Sequence, residues 1–227
     1  MSAGNTASTK FDGYAKEYST MHDASVEASG ESAEYFARHK VECLARLGIG
    51  PETALLDYGC GIGNLTCQLS PRYADVHGFD PSLESLKIAR ERAPQAKFTN
   101  DPAELPDARF GAAVLAGVLH HVPPAERPAL LATVAQKLAP GGRLVVFEHN
   151  PYNPLTRRAV AACPFDDDAI LLFPREVKRL LAATGLTGIR QDFVVFFPRQ
   201  LAALRPLEPH LGWLFLGAQT MTTATRS

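Results

Sequence analysis

The sequence runs to 227 residues, 46% of them apolar and 21% charged, a balance that supplies a sizeable core and excludes wholesale disorder. Twenty-three Lys and Arg stand against 24 Asp and Glu, a formal net charge of −1, which argues against a protein that wraps nucleic acid or lies on an anionic membrane. Cys43, Cys60, Cys67 and Cys163 form no CxxC pair, so neither a disulfide framework nor a cysteine zinc site is expected, and a reducing compartment, the cytoplasm, is. Residues 1–10 are small and polar without an apolar signal stretch, and no apolar run approaches the ~18 residues of a membrane span.

An N-terminal helical arm is expected over residues 11–50, after a flexible stretch at 1–10 and ahead of a core at 51–227, with 11–227 forming one domain. Strands are expected at 54–57 and 74–79, each followed by a helix. The second helix would start with Asp80 as N-cap and Pro81 in the first turn, and would bury Leu83, Leu86, Ile88 and Ala89. A weaker strand covers 96–99. Residues 111–116 are continuously apolar, as in a parallel strand buried on both faces. A helix over 124–139 should stop at Pro140-Gly141-Gly142, before a strand at 143–147. A helix over 173–183 ends at Gly185, and two last strands are expected at 193–197 and 214–223. Strands alternating with helices indicate an α/β fold with a parallel, doubly wound sheet.

The informative segment is Leu55-Leu56-Asp57-Tyr58-Gly59-Cys60-Gly61-Ile62-Gly63-Asn64. A strand runs into a turn with alternating glycines, which lets a ligand approach the main chain and the amides opening the next helix. The dinucleotide fingerprint needs glycine where Asn64 stands, which disfavours a nicotinamide enzyme. Asp80 follows Gly59 by 21 residues, at the end of the second strand, where a carboxylate can hold both hydroxyls of a ribose. An adenosine ligand is expected at the carboxyl edge of the sheet.

With these motifs the sequence resembles the class I S-adenosylmethionine-dependent methyltransferases, particularly the group acting on small molecules. Asp57-x-Gly59-x-Gly61-x-Gly63 is similar to the family's first motif, and Asp80 to its ribose-binding acid. Asn100-Asp101-Pro102-Ala103-Glu104 is similar to its acidic loop near adenine, although Pro102 lacks the N–H that often meets the ring. Val118-Leu119-His120-His121-Val122 and Leu138-Ala139-Pro140-Gly141-Gly142 resemble its segments after the fourth strand and before the fifth. The resemblance implies a Rossmann-like, seven-stranded sheet, mostly parallel with an antiparallel last strand. It implies S-adenosyl-L-methionine as cofactor, with Tyr18, Lys40, Asp57, Gly59, Cys60, Gly61, Asp80, Pro81, Asp101, Pro102 and Ala116 around it.

Histidine suits deprotonation of a hydroxyl acceptor near neutral pH, so His120, His121 and His149 are candidate catalytic residues, with structural capping as the alternative. Tyr14, Asn150, Asn153 and Arg157 are candidates for the acceptor wall; for the last three, on the rigid polar loop after the fifth strand, a solvated connection is the alternative. Cys60 is better explained as a small residue between glycines than as a nucleophile. The run Asp166-Asp167-Asp168 fits a solvated loop, and no metal is expected. O-methylation of a specialised metabolite or sugar is the first expectation; N- or C-methylation and a non-catalytic adenosine-binding module are the alternatives.

Overall fold

The structure, a computed structural model, describes residues 30–227. The candidates Tyr14 and Tyr18 and the first part of the expected arm lie outside the described residues. Among the described residues no helix is long and apolar enough to cross a membrane.

Seven strands form one sheet in the order β3-β2-β1-β4-β5-β7-β6. Strands β1 (Leu55–Tyr58), β2 (Val76–Phe79), β3 (Lys97–Thr99), β4 (Phe110–Ala116) and β5 (Leu138–His149) pair in parallel. Strand β7 (Gln219–Thr225) runs antiparallel between β5 and β6 (Thr187–Val194), as the family resemblance implies.

Strand periodicity sends neighbouring residues to opposite faces, so the apolar runs feed two cores. Leu56, Leu144 and Val146 join Leu131 and Val134 of α4 (Arg127–Lys137) and Val177 and Leu181 of α6 (Pro174–Ala183) on one face. Leu55, Val145 and Phe147 join Val41 and Leu44 of α1 (Ala33–Arg46) and Leu69 of α2 (Thr66–Leu69) on the other. Helix α3 (Leu83–Arg92) packs beside α2 and β3, and α5 (Pro154–Ala162) follows β5.

Several expected boundaries move. The N-cap of α3 is Ser82, whose hydroxyl accepts the Ser85 amide at 3.0 Å, and Leu83 stays exposed because the buried stripe is Ser82, Ser85, Leu86 and Ala89. Helix α4 ends before Pro140, because Leu138 is already extended and paired with Phe110. Strand β6 ends at Val194, since Val195 adopts φ +62°. The apolar residues Phe215 and Leu216 lie exposed ahead of β7 rather than in a strand.

The strand order reverses between β1 and β4. At such a switch point the connections leave a crevice at the carboxyl ends of the strands, where α/β sheets bind ligands.

Candidate active site

The turn after β1 forms the floor of that crevice. Gly59 and Cys60 donate their amides to the Phe79 carbonyl, at 2.7 and 2.9 Å, which ties the turn to the end of β2. Gly59 sits at φ +82°, and a Cβ there would come within 2.6 Å of Val118 Cγ2. Gly61, at φ +51°, has open space where a Cβ would be. Asp80 Oδ2 accepts the Gly61 amide at 2.8 Å, and its Oδ1 accepts the Ser82 amide at 2.9 Å.

A cavity of about 690 Å3 opens over this turn, within the range of small-molecule and cofactor sites. Its wall includes Asp57, Gly59, Cys60 and Gly61 from the β1 turn, Asp80 and Pro81 after β2, and Pro102 after β3. Ala116 and His121 reach it from the end of β4, and Lys40 from α1. The structure thus brings most of the expected cofactor residues to one cavity. Asp101 is exposed and caps its own short helical turn through Ala103 N–H at 2.8 Å, leaving Pro102 in the wall.

Buried charge shapes this cavity. Asp57 is 1% exposed and accepts the Thr66 hydroxyl at 2.6 Å; burial pushes its carboxyl up to about 6. Lys40 donates to the Phe36 carbonyl at 3.5 Å and lies 5.7 Å from the Phe147 ring centroid. Burial pulls its ammonium down to about 8, against the opposing charges of Asp57 and Glu148. Burial also raises the Cys60 thiol well above its ordinary value, which removes the thiolate a nucleophile would need.

Of the three candidate histidines, His121 stands in the cavity wall. His120 and His149 sit behind it, with ring centroids 5.0 Å apart. His120 Nδ1 lies 2.6 Å from Glu148 Oε2, while Glu148 Oε1 accepts the Leu119 amide at 2.8 Å. Burial opposes charge on His120, but Glu148 and Asp166 outweigh it and hold the ring up at about 9. A ring already protonated at neutral pH cannot serve as the expected general base, which corrects that expectation for His120. Burial and then the His120 charge push His149 down to about 3 and His121 down to about 4. His121 is therefore a neutral imidazole facing the cavity.

The loop after β5 does different work from that expected. The Asn150 amide donates to the carbonyls of Phe215 and Gly217, at 2.8 and 2.6 Å, and its oxygen accepts from Tyr152 N–H. Asn153 caps α5, accepting from Leu155 and Thr156 N–H, and donates to Leu216 O at 2.7 Å. Both amides fasten the chain ahead of β7, and Arg157 is exposed on α5. The structure does not bring these three to the cavity wall.

The sequence reading missed three residues around the histidines. Asp166 is buried rather than solvated, unlike its neighbours Asp167 and Asp168. Glu148 is 2% exposed at the end of β5. Arg127 is 1% exposed and donates to Leu119 O, Val122 O and Ile170 O, each at 3.0 Å, and to Glu176 at 2.8 Å. It clamps the histidine turn onto the segment that carries Asp166. A buried charge far from its partners in the chain leaves no periodic signal in one sequence.

The family model described as "Methyltransferase domain" matches residues 30–191. The chain is similar to a trans-aconitate 2-methyltransferase of Methylobacterium nodulans, 33% identical over 156 residues that cover 61% of this chain and 58% of that one. It thus spans somewhat under two thirds of that relative's length. Among solved structures, a SAM-dependent methyltransferase of Thermotoga maritima, titled a possible histamine N-methyltransferase, superposes with TM-score 0.71 at 20% identity, covering 97% of this chain and 99% of that one. The magnesium protoporphyrin IX methyltransferase of Synechocystis, solved with S-adenosylhomocysteine, gives TM-score 0.63 at 21% identity, covering 90% and 86%. With 162 consecutive residues matched and the sheet order, turn and acidic residue in place, the chain belongs to the methyltransferase-domain family.

Proposed function

We propose that this protein binds S-adenosyl-L-methionine in the β1–β2–β4 crevice and transfers its methyl group to a hydroxyl oxygen of a small molecule. One observation carries the reading: a single cavity unites the glycine turn, the Asp80 carboxylate, the Lys40 ammonium and the His121 imidazole. The residues fit the cofactor. Open space at Gly61 admits a nucleoside against the main chain, Asp80 offers a carboxylate to a ribose, and Lys40 a cation to a carboxylate.

When bound, the sulfonium supplies an electrophilic methyl carbon, and the protein's task is chiefly to position an acceptor and exclude water. Lys40 holds the amino-acid end by charge. His121, neutral at physiological pH, accepts a hydrogen bond from the acceptor hydroxyl, orients its oxygen and takes its proton as the methyl carbon–sulfur bond breaks and the new carbon–oxygen bond forms.

The named relative acts on trans-aconitate, an organic acid. In the described wall of this cavity Lys40 is the one Lys or Arg, alongside Asp57, Asp80 and Glu126. A polycarboxylate would meet net negative charge there, so a neutral hydroxylated acceptor fits better. The net charge of −1 supports a small molecule over nucleic acid, and four free cysteines support a reducing compartment such as the cytoplasm.

The test is methyl transfer from labelled S-adenosylmethionine to matched panels of hydroxyl, amine and carboxylate acceptors. Label on the hydroxyl panel supports the reading. Label confined to amines or carboxylates overturns the acceptor class, and S-adenosylhomocysteine binding without transfer to any acceptor points to a non-catalytic adenosine-binding module.

A further inference from the structure

Behind the cavity wall, three metal-ligating side chains meet from two distant segments. His120 and His121 leave the short helical turn after β4, Leu119–His121. Asp166 comes from the turn Pro164–Asp166, beyond α5. The segments are locked together, since Ile170 N–H donates to the His120 carbonyl at 2.8 Å and Arg127 bridges Leu119 O to Ile170 O. Asp166 Oδ1 lies 3.3 Å from His121 Nε2 and 3.7 Å from His120 Nε2. One donor atom from each of the three residues lies within 4.8 Å of the others.

The shortest of those separations, 3.3 Å, is already the spacing of two ligands on one ion, and the others close to it by small side-chain rotations. With metal–ligand bonds of roughly 2.0–2.1 Å, two ligands of a tetrahedral ion stand about 3.3–3.4 Å apart. They fit a hydrogen-bond network less well. Asp166 Oδ1 is buried and makes no well-formed hydrogen bond among the described residues, only the 3.3 and 3.7 Å approaches of the two rings, and a buried carboxylate oxygen short of hydrogen bonds is costly.

Each ring also has a carboxylate on its far side. Glu148 Oε2 is 2.6 Å from His120 Nδ1, within hydrogen-bond reach, and Asp168 Oδ1 is 3.6 Å from His121 Nδ1, an ion-pair distance beyond it. A ligating histidine almost always gives its second nitrogen to such a partner, which fixes the tautomer and raises its basicity.

We propose that His120, His121 and Asp166 form a binding site for one divalent transition-metal ion of the zinc type, which displaces the proton from His120 Nε2 to solvent as it binds, with Glu148 as the positioning residue behind His120. Two imidazoles and one carboxylate suit Zn2+ or Fe2+ better than Mg2+ or Ca2+, which prefer all-oxygen shells. Three protein ligands leave a coordination position open, as catalytic sites do. Because His121 stands in the cavity wall, that position takes an oxygen from the cavity side, either water or the acceptor hydroxyl, and in the metal-bound protein this contact replaces the direct hydrogen bond from the acceptor to His121. The assignment of the acceptor as ligand rests on the proposed methyl transfer; the metal site itself does not.

The experiment strips the full chain with a chelator and titrates it with Zn2+, and separately with Co2+ to read visible absorption from a low-symmetry nitrogen–oxygen site. One ion per chain is expected, with affinity lowered at least a hundredfold in Asp166→Asn and His121→Ala and roughly 10–100-fold in Glu148→Gln. Cys67→Ser should leave the affinity unchanged. In parallel, Zn2+ should raise the thermal midpoint of the unmodified chain but not of Asp166→Asn, which separates ligation from folding. Absence of stoichiometric binding, binding untouched by Asp166→Asn, or binding abolished by Cys67→Ser overturns the proposal. S-adenosylhomocysteine affinity of the stripped chain is measured alongside. If that fails while Zn2+ binds, the methyltransferase reading falls and the metal site stands; the reverse result sinks the metal site alone.

Discussion

Asp80 and Gly61 join the first two strand–helix turns through one hydrogen bond of 2.8 Å, from the Gly61 amide to the carboxylate. The bond brings the acidic group to the main chain of the glycine turn, so that both line one cavity. Asp80→Ala should therefore weaken S-adenosylhomocysteine binding by about 1.5–3 kcal/mol, the contribution of a hydrogen bond to a charged group. That is roughly a 10- to 150-fold rise in dissociation constant, readable by calorimetry. Unchanged affinity would remove Asp80 from the site.

Gly59 and Gly61 separate folding from binding. Gly59 is at φ +82° with Val118 Cγ2 only 2.6 Å from any added Cβ. Gly59→Ala therefore combines left-handed strain with overpacking and should cost about 2–4 kcal/mol of stability. Gly61 at φ +51° has no atom within 4 Å of an added Cβ. Gly61→Ala should cost no more than about 1–2 kcal/mol in stability but place a methyl group in the cavity and lower cofactor affinity. Urea midpoints and binding isotherms of the two variants should move in opposite proportion.

The ammonium of Lys40 gives a pH signature. Burial lowers it to about 8, so it is charged below that pH and neutral above. An anionic carboxylate held by Lys40 should bind most tightly below pH 8 and lose affinity as pH rises through that value. The cofactor's own amino group titrates nearby, so the control is Lys40→Met, which should bind more weakly at neutral pH and lose the step that Lys40 contributes. Identical pH profiles for the two proteins would show that Lys40 does not hold the carboxylate.

His120 and His121, adjacent in sequence, should respond differently to substitution. His121 faces the cavity, so His121→Ala should depress turnover while cofactor affinity holds. His120 pairs with Glu148 inside the protein at 2% exposure. His120→Ala leaves that carboxylate buried without its partner and should destabilise the fold by about 3–5 kcal/mol, measured by chemical denaturation.

What could be read from the sequence divides along the same physical line. Strand β4 announces itself because burial on both faces demands an apolar run, β1 and β2 by short β-rich segments that lead into the glycine turn and Asp80, and the turn after β1 because its backbone demands glycine. Strand β6 lies at the sheet edge with Thr187, Arg190, Gln191 and Asp192, so hydropathy points only to its apolar end at 193–194. For β7 the apolar residues Phe215 and Leu216 place the expected start at 214, yet both are exposed and the strand begins at Gln219. Asp80 was legible from its distance to the turn. Asp166 and Glu148 were not, because their role comes from meeting two histidines across the fold.

Arg127 gives the last prediction, for it holds that meeting together. Its guanidinium reaches three carbonyls and one carboxylate from a position 1% exposed. Arg127→Met keeps much of the packing but strands Val122 O and Ile170 O and leaves Leu119 O with only the Val122 amide, and unsatisfied buried acceptors cost about 1–3 kcal/mol each. A net loss of roughly 3 kcal/mol is expected after local relaxation. Arg127→Lys should recover less than half of it, because an ammonium cannot span the same fork of acceptors. Hydrogen exchange should show protection lost at residues 119–122 and at 170 together, since one side chain tethers both. Loss in one segment alone would mean that the histidine turn and the Asp166 segment are held independently, and that Arg127 is a packing residue rather than the clamp between them.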